Sequence, residues 1–203
     1  CTATSRAIVE GSVLGPFTER LVARARAWKV GNGLMPGVEM GPAVNRAQWE
    51  GDLAAVEQAV NEGAQLLSGG QGLAEGDLAY GYFLQPTVLG NVTPRMRVAH
   101  EEIFGPVVAI MAVENLDEAL TVANGVEAGL CATVVTGDLK KAMLYADRIQ
   151  AGVVKINQIS TGLALQAPFG GVKKSSTDSF REQGPGAIEF YSRSKTVYLD
   201  YSA

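Results

Sequence analysis

Histidine and cysteine are nearly missing from this chain: His100 stands alone, and Cys1 and Cys131 are the only thiols among 203 residues. No metal-ligand spacing links these three, so a zinc site is not expected. Two cysteines are too few for a disulfide framework in a domain of this length. Basic clusters are also lacking. No run gathers five Lys and Arg and the formal net charge is -4, so nucleic acid is not an expected partner. Long apolar runs are absent too. Val107 to Val113 is a typical maximum, against the roughly 18 residues that span a bilayer, so no membrane association is expected. No charged segment followed by an apolar stretch marks a signal peptide at the N-terminus. The missing initiator Met reads as a processed or excerpted chain.

What remains is the composition of a folded domain. Apolar residues make up 47% and charged residues 19%, a globular balance, and the length fits one domain or one domain with a tail. Arg6 to Glu10 reads as a short strand. Phe17, Leu21, Val22, Ala25 and Trp28 recur at helical spacing, with start chemistry at Thr18 and Glu19 and a stop at Gly31-Asn32-Gly33. A second helix is predicted from an Asn45 N-cap, with Trp49, Leu53, Val56 and Val60 on one face and Gly63 as its end. Ala64 to Leu67 is a candidate strand, and Leu73 to Gly81 a surface loop. Pro86 predicts that any strand over Phe83 to Leu89 is interrupted or at an edge. Val107 to Val113 is the clearest buried strand. Asn115 then caps a helix with Asp117 and Glu118 in its first turn. Cys131 to Thr136, a helix capped by Asp138, and Val153 to Asn157 continue an α/β alternation that builds a parallel sheet. Lys195 to Tyr201 alternates like a strand with no partner at home, and such a strand seeks an edge in another subunit.

Four segments carry chemistry. Cys1-Thr2-Ala3-Thr4-Ser5-Arg6 opens on a thiol, which is a nucleophile only as its thiolate. His100-Glu101-Glu102-Ile103-Phe104-Gly105-Pro106 pairs two carboxylates with an aromatic ring. Pro168-Phe169-Gly170-Gly171 has glycines that allow an approach a Cβ would block. The fourth is Thr161-Gly162-Leu163-Ala164-Leu165-Gln166-Ala167, with Lys173 to Glu182 beyond it. On these motifs, in family order from Cys1 to Tyr201, the chain resembles the aldehyde dehydrogenase superfamily. It looks like the carboxy-terminal catalytic portion of a longer enzyme, cut at the nucleophile. The usual Lys-x-Ser-Gly continuation is replaced by Lys173-Lys174-Ser175-Ser176. With the fourth segment, that departure looks like the branch acting on 2,5-dioxopentanoate, also called α-ketoglutarate semialdehyde.

The resemblance implies an α/β fold, a largely parallel sheet flanked by helices. It implies a catalytic domain over 1–190 and an oligomerisation strand over 191–203, with the nucleotide-binding domain absent from the chain. Cys1 is implied as the nucleophile that forms a thiohemiacetal and then a thioester, with nicotinamide as hydride acceptor and activated water freeing the acid. Its backbone N–H is implied as a donor to the aldehyde oxygen. Glu102 is implied to accept from the hydroxyls of the nicotinamide ribose, because a carboxylate offers two acceptor oxygens to a vicinal diol. Phe104 is implied beside the nicotinamide, and Gln48 matches a position that approaches the cofactor. Phe169 lies in a loop at the mouth of the site. Ser160 and Thr161 read equally as donors to a substrate carboxylate and as turn residues. The cofactor is NAD or NADP. The residues that choose between them lie upstream, as do the water-activating glutamate and the oxyanion asparagine, so the chain alone is not expected to turn over. The expected whole is a cytoplasmic homodimer or homotetramer acting on a small aldehyde.

The residues also allow plainer readings. Apart from the resemblance, Glu101 and Glu102 read as solvated charges, Phe104 as a core plug and Cys1 as a terminal thiol. Cys131, in an apolar strand, reads as an inert core residue, and His100 has no catalytic role. One rival class is an amidohydrolase whose N-terminal Cys1 attacks with its own α-amine as base, although such folds are usually layered antiparallel sheets. The other is a non-catalytic module that folds and associates only.

Overall fold

The computed structural model describes residues 1–177 and 181–202. They form two compact units, Ala3–Val126 together with Cys1 and Glu127–Ala203 together with Thr2.

The first unit is built on a four-stranded sheet of β1 (Arg6–Glu10), β2 (Gln65–Ser68), β3 (Thr87–Gly90) and β4 (Val107–Val113), in the order β1-β4-β3-β2. β4 is parallel to β1, with Ala109 opposite Arg6, and parallel to β3, while β2 runs antiparallel to β3. A strand with a neighbour on each side and cover on both faces needs an unbroken apolar run, and Val107 to Val113 supplies one. The pairing over Phe83 to Leu89 is interrupted at Pro86, the first of the two expected alternatives, between an isolated bridge at Leu84 and β3. All four residues of β3 are buried and it lies between β2 and β4, not at an edge. Pro86 stands just before it, so the missing N–H falls outside the ladder.

Helix α1 (Gly11–Ala27) follows β1 directly, well ahead of the predicted start at Thr18, and holds Pro16 in its interior. Its Leu14, Leu21, Val22 and Ala25 pack on Val9, Val88 and Ile110. That apolar seam outweighs the lost backbone bond at Pro16. Phe17 and Trp28, predicted for the same face, are exposed. Helix α2 (Arg46–Asn61) starts at the predicted cap, where Asn45 Oδ1 accepts from the Gln48 N–H at 2.9 Å. Its buried residues are Asp52, Val56 and Ala59, whereas Val60 is exposed. The buried stripe keeps Val56 but takes Asp52 and Ala59 in place of Leu53 and Val60, and so includes a carboxylate. In α3 (Leu116–Asn124), Asn115 Oδ1 accepts from the Glu118 N–H at 3.0 Å, and the Glu118 carboxylate accepts from the Glu114 N–H at 2.7 Å. The main core joins α2 to the sheet through Val56, Ala59, Leu89, Ala109 and Met111.

The second unit holds β5 (Cys131–Val134), α4 (Leu139–Arg148) and β6 (Val153–Ile156), a βαβ unit whose strands are parallel. Asp138 Oδ1 caps α4, accepting from the N–H groups of Lys140 at 2.8 Å and Lys141 at 3.1 Å. Tyr145, buried on α4, donates its hydroxyl to the Thr133 carbonyl at 3.2 Å. The alternation from β4 onward predicted one continuing sheet. Instead β5 and β6 form a separate two-stranded sheet among the described residues. Helix α5 (Gly184–Tyr191) was not foreseen. Residues 193–202 carry no helix or strand among the described residues, and Val197, Tyr198, Leu199 and Tyr201 are exposed. The α/β class with mainly parallel pairing is as expected.

Candidate active site

The first turns of α2 support a loop that leads into β4. Gln48 and Asp52 lie one helical turn apart, so their side chains meet. Asp52 is 1% exposed. Gln48 Nε2 donates to Asp52 Oδ1 at 2.6 Å and to the Ile103 carbonyl at 2.9 Å, which commits both amide hydrogens. Asp52 Oδ2 is buried without a hydrogen-bond partner. Burial pushes the Asp52 carboxyl above its ordinary pKa, against the opposing pull of the Gln48 amide. Gly105 closes over that carboxyl: a Cβ added there would lie 2.4 Å from its atoms. Ile103 packs its side chain into the core beside Val98.

Next to this anchor the two adjacent glutamates differ. Glu101 pairs with Arg97 at 2.5 Å. Arg97 also donates to Gln58 Oε1 at 2.9 Å, and its backbone N–H donates to Glu62 at 2.7 Å. That N–H, followed by the Gln58 amide, holds the Glu62 carboxyl below its ordinary pKa. Glu102 is exposed and has no hydrogen bond or ion pair among the described residues. Gln48, Gln58, Arg97 and Glu102 line a groove of about 590 Å³. Two residues on, Phe104 is 66% exposed and holds a φ of +62°. An aromatic side chain in the left-handed region is uncommon, and its neighbours must hold it there. The plainer reading of Phe104 as a core plug therefore fails. An open acceptor carboxylate two residues before an exposed flat ring offers the chemistry to hold a ribose diol carrying an aromatic ring. Gln48 belongs to the same groove, but its amide nitrogen is spent on the loop.

Cys1 is exposed, with a free thiol. The segment after it is pinned. The Ser5 carbonyl accepts from the Ala109 N–H at 3.0 Å. The two Arg6 terminal nitrogens donate to the Val122 and Ala123 carbonyls, each at 3.2 Å. Arg6 thus caps the C-terminal end of α3, as a cation at that pole should.

The remaining candidates lie in the second unit. Residues 157–171 follow β6, and side chains from both strands tie their carbonyls. Thr133 Oγ1 donates to Gln158 at 2.9 Å and Cys131 Sγ to Ser160 at 3.4 Å. Lys155 Nζ donates to Thr161 at 2.6 Å and also to Gly162. Ser160 is half-buried and Thr161 exposed. Cys131 is half-buried, not a core residue, and burial raises its thiol pKa. Phe169 is half-buried and bridged to Glu182: its N–H donates to the Glu182 carbonyl at 2.5 Å, and Glu182 returns the bond at 2.7 Å. Gly171 shows the predicted close approach, since a Cβ would meet the Ser175 carbonyl at 2.2 Å. In the unusual stretch Lys173 to Glu182, residues 178–180 lie outside those described. Among the described residues no group of three His, Cys, Asp or Glu could hold a metal, and no helix is long and apolar enough to cross a membrane.

Sequence reasoning missed Asp52 and Lys155. A charge on an amphipathic helix reads as solvent-facing. The available signal was Gln48, Asp52, Val56 and Ala59 on one stripe at helical spacing.

Comparison with known proteins covers nearly all of the chain. The profile described as "Aldehyde dehydrogenase family" matches residues 1–197. The α-ketoglutarate semialdehyde dehydrogenase of Haloferax volcanii is 47% identical over 99% of this chain and 41% of its own length. The α-ketoglutaric semialdehyde dehydrogenase of Bacillus subtilis is 44% identical over 98% of this chain and 41% of its own. The chain therefore spans about two fifths of the length of these relatives. The betaine aldehyde dehydrogenase of Staphylococcus aureus, solved in complex with NAD+, superposes with a TM-score of 0.87 at 35% identity, over 92% of this chain and 37% of that one.

Proposed function

The chain belongs to the aldehyde dehydrogenase family, and from that premise we propose that the protein carrying it oxidises a carboxylate-bearing semialdehyde, such as 2,5-dioxopentanoate, to the acid with NAD(P)+. The observation that carries the reading of the site is Glu102, an open carboxylate beside the exposed ring of Phe104. The choice of substrate is supported by the names of the two relatives.

In this reading Cys1 is the catalytic residue. Its thiolate adds to the carbonyl carbon, and its sulfur holds the acyl group as a thioester until water breaks the C–S bond and frees the acid. A dinucleotide, when bound, supplies the hydride acceptor. Glu102 holds the ribose hydroxyls and Phe104 lies against the nicotinamide, with Gln48 supporting their loop. Phe169, with Ser160 and Thr161, lines the approach of the substrate, and the loop that carries them is tied by Lys155.

Residues 1–190 act as the catalytic domain, and 191–203 as the strand that joins a neighbouring subunit in a cytoplasmic homodimer or homotetramer. The exposed Val197, Tyr198, Leu199 and Tyr201 support that role. Because the relatives are much longer, the 203 residues alone are expected to be inactive. The test is to assay the intact protein with NAD+ and NADP+ against 2,5-dioxopentanoate and uncharged aldehydes of the same length. Preference for the carboxylate-bearing aldehyde supports the reading. Preference for a long-chain or aromatic aldehyde overturns it.

A further inference from the structure

The most buried charged side chain in the first unit has no part in the chemistry above. Asp52 is 1% exposed on the same stripe of α2 as Val56 and Ala59, where an apolar residue would suit the core better. It receives one donor, Gln48, and its second oxygen has none. A buried polar group so poorly matched is a cost to folding, and its presence calls for a role outside packing.

We propose that Asp52 is a positioning residue for the dinucleotide site: by accepting from Gln48 it aims the second amide hydrogen at the Ile103 carbonyl, and so fixes where Glu102 and Phe104 present themselves. The inference rests on the reading of Glu102 as the ribose ligand. Three observations converge on it. Ile103 lies between Glu102 and Phe104, so one hydrogen bond to its carbonyl orients both neighbours. Phe104 holds a left-handed backbone that must be imposed from outside. Gly105 lies close over the Asp52 carboxyl, so that a Cβ there would force the carboxyl to move and disturb its bond to Gln48. A leucine at position 52 would fill the space but leave the Gln48 amide unaimed, with two hydrogens to satisfy and one partner.

The test compares Asp52→Leu, Asp52→Asn, Gln48→Leu and Glu102→Gln in the intact protein. It uses equilibrium binding of NAD+ and NADP+, the aldehyde KM, and hydrogen exchange over 101–107 in the protein without dinucleotide. Asp52→Leu is expected to weaken dinucleotide binding about tenfold, as loss of one buried hydrogen bond does. It should also speed exchange over 101–107 and leave the aldehyde KM unchanged. Asp52→Asn keeps the acceptor oxygen and should stay within about threefold. Gln48→Leu should match Asp52→Leu, and the double variant should be no worse than either, because both break one chain of contacts. If Asp52→Leu does not fold, Gln48→Leu carries the same test.

Unchanged exchange over 101–107 overturns the proposal, as does an Asn variant as weak as the Leu variant. So does faster exchange spread equally through β4. If Glu102→Gln binds dinucleotide normally while Asp52→Leu still frees the loop, the ribose reading fails and the anchor stands. If Glu102→Gln weakens binding and Asp52→Leu changes nothing, the anchor fails and the ribose reading stands.

Discussion

The loop 101–106 in the first unit and the loop 157–171 in the second both carry candidate ligands, and they are held by different means. The first rests on a buried pair, Gln48 and Asp52, with Ile103 in the core and Gly105 closed over a carboxyl. The second is tied over 158–162 by half-buried strand side chains, Thr133, Cys131 and Lys155, which grip its carbonyls, and is packed only at its far end, where Phe169 pairs with Glu182 and Gly171 closes on Ser175. Buried, tightly packed anchors have few alternative arrangements. Partly solvated ties can exchange for water at small cost. Such a division suits the proposed roles, a first loop for the dinucleotide and a second for the aldehyde.

The harshest test lies outside both loops. Cys1→Ala in the intact protein should lower acid formation about a thousandfold or more, with dinucleotide binding unchanged. Retained turnover would overturn Cys1 as the nucleophile. Next come the two tight glycines. Gly105→Ala drives a Cβ onto a buried carboxyl, and Gly171→Ala drives one onto the Ser175 carbonyl. Each should cost about 1–3 kcal/mol in denaturant unfolding, and only Gly105→Ala should also weaken dinucleotide binding. Equal effects on binding would erase the contrast.

A gentler probe is Lys155→Met. Losing the tie to Thr161 and Gly162 should raise the KM for a carboxylate-bearing aldehyde about three- to tenfold and leave dinucleotide affinity alone. A change in dinucleotide affinity instead would join the two loops functionally. The smallest effect concerns pH. Burial raises the Asp52 carboxyl above 3.8, so the folded chain keeps this proton to higher pH than the unfolded chain does. Its contribution to stability is complete below that value and is lost as pH rises through the raised one. Unfolding midpoints of Asp52→Asn measured over about pH 3 to 7 should lack this component. An unchanged profile would show that Asp52 does not titrate in that window.

Local chemistry made much of this fold legible. Asn45, Asn115 and Asp138 cap helices where their side chains said they would, and Val107 to Val113 is a buried strand to the residue. These features depend on neighbours in sequence. The misses depended on contacts distant along the chain. The early start of α1 is decided by Leu14 meeting the cluster of Val9, Val88 and Ile110, which Gly15 and Pro16 conceal. The separate pairing of β5 with β6 is a choice of partner that no local pattern states. At the candidate site, motif matching singled out Glu102 and Phe104. The pairing of Glu101 with Arg97, four residues earlier, was a local signal that it left unused.

The grip of Ser5 and Arg6 sets a leash on the thiol. With Ser5 tied to β4 and Arg6 clamped on the end of α3, only four links run back to Cys1. Fully stretched they reach about 14 Å. In the proposed reading an aldehyde must therefore meet the sulfur within that distance of the start of β1, and loosening the guanidinium clamp would remove one of the two ties that set it.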